Sequence, residues 1–179
     1  LSPSSVNVNA PTTVSVSVTG TLSPTGTVSF TAPGGSGSFS NGGSCTLASG
    51  TCTVTFTPSS VGSVVITGKY NGDMFDATSS ATNTLTVTPV TATTIVTLSP
   101  SSVNVNAPTT VSVSVTGSSP TGTVTFTAPG GSGSFSVNSC TLVSGTCSVT
   151  FTPSSAGSVV VTANYGGDAS NTSSSGQST

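Results

Sequence analysis

The chain has 179 residues, of which only Lys69, Asp73, Asp76 and Asp168 are charged; His, Glu, Arg and Trp are absent and the formal net charge is −2. Without histidine, and with a single lysine, no general acid–base pair, Ser–His or Ser–Lys nucleophile, clustered metal site or arginine-rich phosphate grip can be assembled. The expectation is a protein that is no enzyme, needs no cofactor or metal and binds no nucleic acid.

Ser and Thr make up roughly two residues in five, far above their usual share. A near-neutral chain with 32% hydrophobic residues is expected to fold, because disorder goes with low hydrophobicity and high net charge. No apolar run approaches the ~18 residues of a transmembrane segment. No basic and apolar leader precedes Leu1, so the chain reads as processed or as cut from something longer. Four cysteines in two equally spaced pairs point to an oxidising compartment, hence to a secreted, extracellular or cell-surface protein.

Along the chain, apolar residues alternate with Ser or Thr, the period of half-buried strands. The first strands fall at Val14/Val16/Val18, Val28/Phe30, Val54/Phe56 and Val64/Ile66. Clusters of Asn, Pro and Gly at 9–11, 24–26, 33–37, 58–62 and 71–73 punctuate them. The pattern then starts again. Residues 98–117 repeat residues 1–20 letter for letter, and SPTGTVSFTAPGGSGSFS from Ser23 returns from Ser119 with one substitution. The segment from Ser44 to Asp73 returns from Ser139 to Asp168, with strands at Val149/Phe151 and Val159/Val161. Single-residue deletions after Gly117 and Ser136 fall in Gly/Ser-rich loops, where length changes are tolerated.

The phase of this repeat is informative. Asp73 matches Asp168, so Thr84 matches Thr179, and residues 85–97, LTVTPVTATTIVT, occur once between the copies. Leu85 and Val87 are expected to close the first domain, residues 1–90, and Ile95 to lie in the strand that opens the second, residues 91–179. On this reading the first domain lacks its opening strand and the second lacks its closing strand. Leu85, Val87 and Ile95 are the linker and strand-exchange candidates. About seven short strands per copy of roughly 95 residues predict an all-β fold of two tandem Ig-like β-sandwich domains.

The segments PTGTVTFTAP and CTLVSGTCSVTFTPSSAGSVVVTANYGGD resemble the bacterial Ig-like domain repeat family of secreted fibres, surface stalks and adhesins. The likeness lies in the GTVTF strand, the Gly-Thr hairpin followed by a strand, and the Tyr-x-Gly-Asp ending. It covers nearly all of both copies. The cysteines flanking the hairpin and the near absence of charge depart from the family pattern. The resemblance implies a spacer or adhesive module in a long extracellular chain, and does not specify a ligand.

Several residues invite a chemical role. Cys45 and Cys52, and Cys140 and Cys147, bracket Ser-Gly turns; in a hairpin they would face each other on adjacent strands and form a disulfide, because no His accompanies them as in a zinc site. Tyr70-Asn-Gly-Asp73 and Tyr165-Gly-Gly-Asp168 supply too few carboxylates for calcium and read as turns anchored by a tyrosine. Lys69 is replaced by Asn164 in the second copy and reads as a surface lysine rather than an isopeptide donor. The PGGSGSFS segments from Pro33 and Pro129 lack the Gly-Lys-Ser/Thr of a phosphate loop and read as inter-strand loops. Asn171, in Asn-Thr-Ser, is the one glycosylation sequon. The Ser/Thr surface is read in two ways: as a carrier of O-linked glycans that replace charge as solvation, or as threonine serving as an outward-facing strand residue.

The functional expectation is a structural protein: a repeating subunit of an extracellular filament or surface stalk, partnered by itself as a head-to-tail homopolymer or covalent repeat array, assembled by strand complementation and coated with covalent glycans. The alternatives are an adhesin fragment that binds a glycan or protein, and an accessory β-sandwich module of a larger secreted enzyme.

Overall fold

Alternating β-branched residues give each strand one face to bury and one to leave in water. In the computed structural model, which describes residues 1–20, 22–130 and 132–179, these faces build two compact units, Leu1–Pro89 and Val90–Thr179. The division falls one residue earlier than the expected one after residue 90. The Val90 amide donates to the Ser170 carbonyl (2.8 Å), and the Thr172 amide donates to the Val90 carbonyl (2.9 Å), so Val90 is tied to the second unit.

Unit 1 has eight strands among the described residues: β1 Ser5–Asn7, β2 Thr12–Ser17, β3 Thr27–Thr31, β4 Gly37–Phe39, β5 Ser44–Thr46, β6 Thr51–Pro58, β7 Gly62–Tyr70 and β8 Ser79–Thr88. One sheet has the order β1-β8-β7-β3-β5 and the other β2-β6-β4. Only β1 runs parallel to its neighbour. Inward residues from both sheets meet as a core that includes Val14, Val28, Phe56, Val64, Ile66, Leu85 and Val87. The predicted all-β, Ig-like sandwich is what forms.

Unit 2 repeats the plan with β9 Thr93–Ser99, β10 Thr109–Thr116, β11 Thr123–Thr127, β12 Gly133–Phe135, β13 Ser139–Thr141, β14 Thr146–Pro153, β15 Val161–Tyr165 and β16 Ser174–Ser178. Its sheets are ordered β12-β14-β10-β9 and β13-β11-β15-β16. The core is again mostly valine, with Phe126, Phe151, Leu142 and Tyr165.

Three features differ from the sequence expectation. The PGGSGSFS segment is not all loop: Gly37 and Gly133 begin short strands against β6 and β14. A β-carbon at Gly37 would stand 2.6 Å from the Phe56 ring and 2.8 Å from the Pro58 α-carbon, so only glycine lets the strand lie this close. Phe39 then packs at a tilt against Phe56 with ring centroids 4.6 Å apart, and Phe135 against Phe151 at 4.9 Å. Gly131 of the second glycine segment lies outside the described residues. Second, β8 starts at Ser79, six residues before Leu85, in a stretch with no apolar alternation. Its outward face and its pairing with β7 hold it there, and neither leaves a hydrophobic signature. Third, residues 5–7 form a strand in unit 1 whereas the identical residues 102–104 of unit 2 do not.

Leu85 is fully buried in unit 1. Leu85→Ala is expected to lower the stability of that unit by about 3 kcal/mol, through lost burial and the cavity left behind. Urea unfolding should show the unit 1 transition moving to lower denaturant while that of unit 2 stays in place.

Candidate functional site: two open sheet edges

Each unit lacks cover at a place where the other has it. In unit 2, β9 pairs with β10 over seven residues, from Thr110 opposite Ser99 to Thr116 opposite Thr93. It also closes over β16, where the Thr94 and Ser174 hydroxyls are 2.7 Å apart. Val113 and Val115 are buried beneath it. In unit 1 the corresponding edge of β2 carries only an isolated bridge between Ser2 and Thr13, and the equivalent Val16 and Val18 are half-exposed.

The second edge is its complement. In unit 1, residues 85–88 of β8 lie between β7 and β1: Val64 opposes Leu85, Gly62 opposes Val87, and Val6 pairs with Val87. Val6, Val8 and Val64 are buried as a result. In unit 2, β16 covers β15 only from Tyr165 to Val161. Beyond that point lies a cavity of about 500 Å³, bordered by Leu98, Val103, Val105, Phe151, Val159 and Val161. Val105 is 42% exposed where its counterpart Val8 is 2% exposed. The bonds from the Thr86 amide to the Ser4 carbonyl (3.0 Å) and from the Val8 amide to the Thr88 carbonyl (2.9 Å) have no counterparts at Ser101 and Val105.

The edges are not interchangeable. Gly176 of β16 lies under β9, and a β-carbon there would run into the Thr94 carbonyl. Its counterpart in unit 1 is Ala81. Glycine at position 176 lets β9 and β16 of unit 2 lie this close.

The strand-exchange candidates occupy different environments. Leu85 and Val87 are buried in the core of their own unit. Ile95 is 52% exposed, on the outward face of β9 beside Thr97, Ser112 and Ser114, while Thr94 and Val96 point inward.

Two devices brace each unit. Cys45 is bonded to Cys52 and Cys140 to Cys147, with α-carbons 6.0 Å apart in both pairs. These are not the cross-strand bridges of a simple hairpin. Cys45 pairs with Val28 in one sheet and Cys52 with Val16 in the other, so each disulfide ties sheet to sheet. The chain turns between them at Ser49 and Gly50, both with positive φ as in a type I′ turn, and sends Leu47 into the core.

The second device is the aspartate loop. Asp73 accepts the Thr25 amide and hydroxyl on one oxygen (both 2.8 Å) and the Phe75 and Asp76 amides on the other (2.9 and 2.8 Å). Asp168 does the same with Thr121, Ser170 and Asn171. The Thr25 amide and its companions hold the Asp73 carboxyl well below the ordinary carboxylate range. At Asp168 burial pushes upward, but the Ser170 and Thr121 amides with the Asn171 and Thr121 side chains outweigh it and the carboxyl is again held low. The buried Tyr165 hydroxyl makes no well-formed hydrogen bond; burial first, and then the neighbouring Asp168, push it up to about 12. Tyr70 is raised by the same causes.

Asn171 is only 3% exposed. Its amide nitrogen donates to the Ser118 carbonyl and to Asp168 (both 2.9 Å), and its oxygen accepts from the Ser118 amide (2.6 Å). A glycan on that nitrogen would replace one of its two N–H donors and so break one of these bonds in the folded unit. Lys69 is exposed, with Ser29 and Ser80 as cross-strand neighbours. Among the described residues no group of three or more His, Cys, Asp or Glu could hold a metal ion, and no helix is long and apolar enough to cross a membrane.

The family model for the bacterial Ig-like domain (group 3) matches residues 1–88 and again 96–179. The chain belongs to that family. No curated protein matches it in sequence. Similar solved structures include the D0-D1 domain of intimin, at 21% identity over 97% of this chain and 93% of that one, with a TM-score of 0.39. The Yersinia pseudotuberculosis adhesin InvE is 17% identical over 98% of this chain and 56% of its own, with a TM-score of 0.43. The Escherichia coli adhesin FdeC is 15% identical over 96% and 60%, with a TM-score of 0.39. The chain thus spans little more than half of either adhesin structure. The cavity at Val159 lies where the sequence reading has the second domain without its closing strand.

Two outcomes follow from these braces. Cys45→Ser with Cys52→Ser is expected to cost unit 1 about 2.5 kcal/mol on the chain-entropy estimate for so short a loop, read as a lower denaturation midpoint that reductant reproduces in the parent chain. Asp73 and Asp168 are ionised more easily folded than unfolded, so their contribution is full above the ordinary value of 3.8 and is lost as pH falls below it. The thermal midpoint should therefore drop on acidification below about pH 4, and Asp73→Asn with Asp168→Asn should flatten that dependence while lowering the midpoint at neutral pH.

Proposed function

We propose that this pair of bacterial Ig-like domains is a repeating structural module of an extracellular stalk or filament, joined end to end. The observation that carries the reading is the near-identity of two tandem Ig-like units, each with its own core and its own sheet-to-sheet disulfide. Contacts between unlike ends of identical copies do not close on themselves and run on as a fibre. Near-identity of the two copies suits equivalent contacts at every step. The sheet-to-sheet disulfides suit an extracellular location and a module under mechanical load. Exposed hydroxyls such as those of residues 79–84 take the place of charge at the surface, and O-linked glycans there add hydration.

A second reading, an adhesive module, is favoured by one observation. Met74 and Phe75 are 88% and 68% exposed in the unit 1 aspartate loop, where unit 2 has Ala169 and Ser170. Exposed side chains of this kind, outside the repeat pattern, serve as anchors for a protein partner.

Negative-stain electron microscopy of the native material, with intact mass measured on the same sample, tests both. Filaments with an axial repeat of one or two Ig-like domains are expected, with mass above that of the bare polypeptide. Dispersed particles at the bare mass would overturn the filament reading and favour the adhesive one, in which Phe75→Ser abolishes partner binding.

A further inference from the structure

The two units share most of their letters, and their differences in chemistry collect at one end of unit 1. There the 20–26 and 71–78 loops lie against each other. Asp73 accepts the Thr25 amide and hydroxyl, a β-carbon at Gly26 would stand 3.0 Å from the Gly72 carbonyl oxygen, and one at Gly20 would run into the Asp76 carboxyl. These loops present Leu22, Met74 and Phe75, which are 58%, 88% and 68% exposed. Unit 2 keeps the clamp, with Asp168 on Thr121, but carries Ala169 and Ser170, and only Ser118 between Gly117 and Ser119. Met74 is the one methionine of the chain, and Lys69, exposed beside Tyr70 at the end of β7, is the one lysine. With Asp73 and Asp76, three of the four charged residues stand at this end of unit 1; unit 2 has Asn164 for Lys69 and Asn171 for Asp76. The sandwich does not need these residues, since unit 2 forms it without them. A docked preceding segment leaves this part of the loop open: in unit 2 Val90 bonds to Ser170 and Thr172 through the backbone, and Ala169 stays exposed.

We propose that this patch is a self-complementary docking surface for the same patch of a second copy of the chain. The contact is isologous: the three apolar side chains of one copy pack on those of the other, and Lys69 of each copy faces the Asp73–Asp76 loop of its mate. Charges of both signs occur together at this patch alone, because Asp168 is the one remaining charged residue, so it is here that a second copy offers the complement. Aromatic and methionine side chains are the ones that interfaces draw on. A nearly uncharged protein has little electrostatic repulsion to keep such a patch apart from its like. The pairing closes at two copies, and so cross-links modules rather than extending them end to end. This inference rests on the reading of Met74 and Phe75 as anchors for a protein partner, and names that partner.

The test is sedimentation velocity of the 179-residue chain over a wide range of concentration. A closed monomer–dimer equilibrium is expected, weakening as salt is raised because the charges that attract across the contact lie at its solvated rim. Phe75→Ser installs the residue that unit 2 carries at this position. It is expected to raise the dissociation constant at least about tenfold, as losing an aromatic anchor from both copies does, with the thermal midpoint unchanged. Lys69→Asn, again the unit 2 residue, should weaken the dimer at low salt and remove most of its salt dependence. Val143→Ser is the control: Val143 is 72% exposed in unit 2, and its loss should leave the dimer intact. A chain that is monomeric throughout, a dimer indifferent to Phe75→Ser, or equal weakening by Val143→Ser overturns the proposal. Failure of the anchor reading looks different. A monomeric chain that still binds another protein through Phe75 keeps the anchor and removes the self-contact. An open-ended series of oligomers insensitive to Phe75→Ser keeps end-to-end assembly and likewise removes the self-contact.

Discussion

In unit 1 nine residue pairs tie β7 to β8, from Tyr70 opposite Ser79 to Gly62 opposite Val87. The last of these pairs bring Leu85 and Val87 under the sheet, and the outer edge of the same stretch receives β1. Removing backbone donors and acceptors from water is costly unless they are paired, so a strand can be buried only with a neighbour on the side it presents. Everything in the upper half of unit 1 depends on that pairing: the strand geometry of residues 62–65, the burial of Val6 and Val8, and the closed core. Unit 2 has the same side chains without that pairing, and there residues 102–104 and 157–160 leave the sheet.

The remaining stability comes from unusually plain means. Valine and phenylalanine fill the cores, threonine and serine cover the outside, and ionic contributions are almost confined to two aspartates. Each of those acts as a local clamp, gathering three amides and a threonine hydroxyl from two loops. Charged acceptors in such positions are worth more than neutral ones. The disulfides work at another level, joining the two sheets at the end where β5 and β6 diverge.

Much of this was legible in the sequence. The Val/Thr alternation and the letter-for-letter repeat determined an all-β chain of two Ig-like sandwiches, because period-two patterning decides which face each residue takes before any partner is chosen. The unrepeated residues 85–97 between the copies also marked where the units would differ. Other parts left no signature. The polar first half of β8 is held by backbone bonds to β7, which any side chain permits. The sheet-to-sheet course of the Cys45–Cys52 bridge depends on β5 and β6 entering different sheets, a matter of packing rather than spacing. The sequon at Asn171 says nothing of the three hydrogen bonds that bury its amide.

Residues 1–20 and 98–117 make the division between sequence and tertiary structure concrete, since they are identical. Their shared letters determine the positive φ at Asn9 and Asn106, the strands at β2 and β10, and the Thr12 and Thr109 hydroxyls bonded to the Pro3 and Pro100 carbonyls at 2.6 Å. The turn and the hydroxyl bond arise within the segment, and β2 and β10 find the same neighbour in each unit, β6 and β14. Whether Val6 or Val103 joins a strand, and whether Val16 or Val113 is buried, was decided by chain from elsewhere: residues 85–88 in one case and β9 in the other. Strand pairing is non-local, so a segment carries its own pleat and facing but only a neighbouring strand makes it part of a sheet.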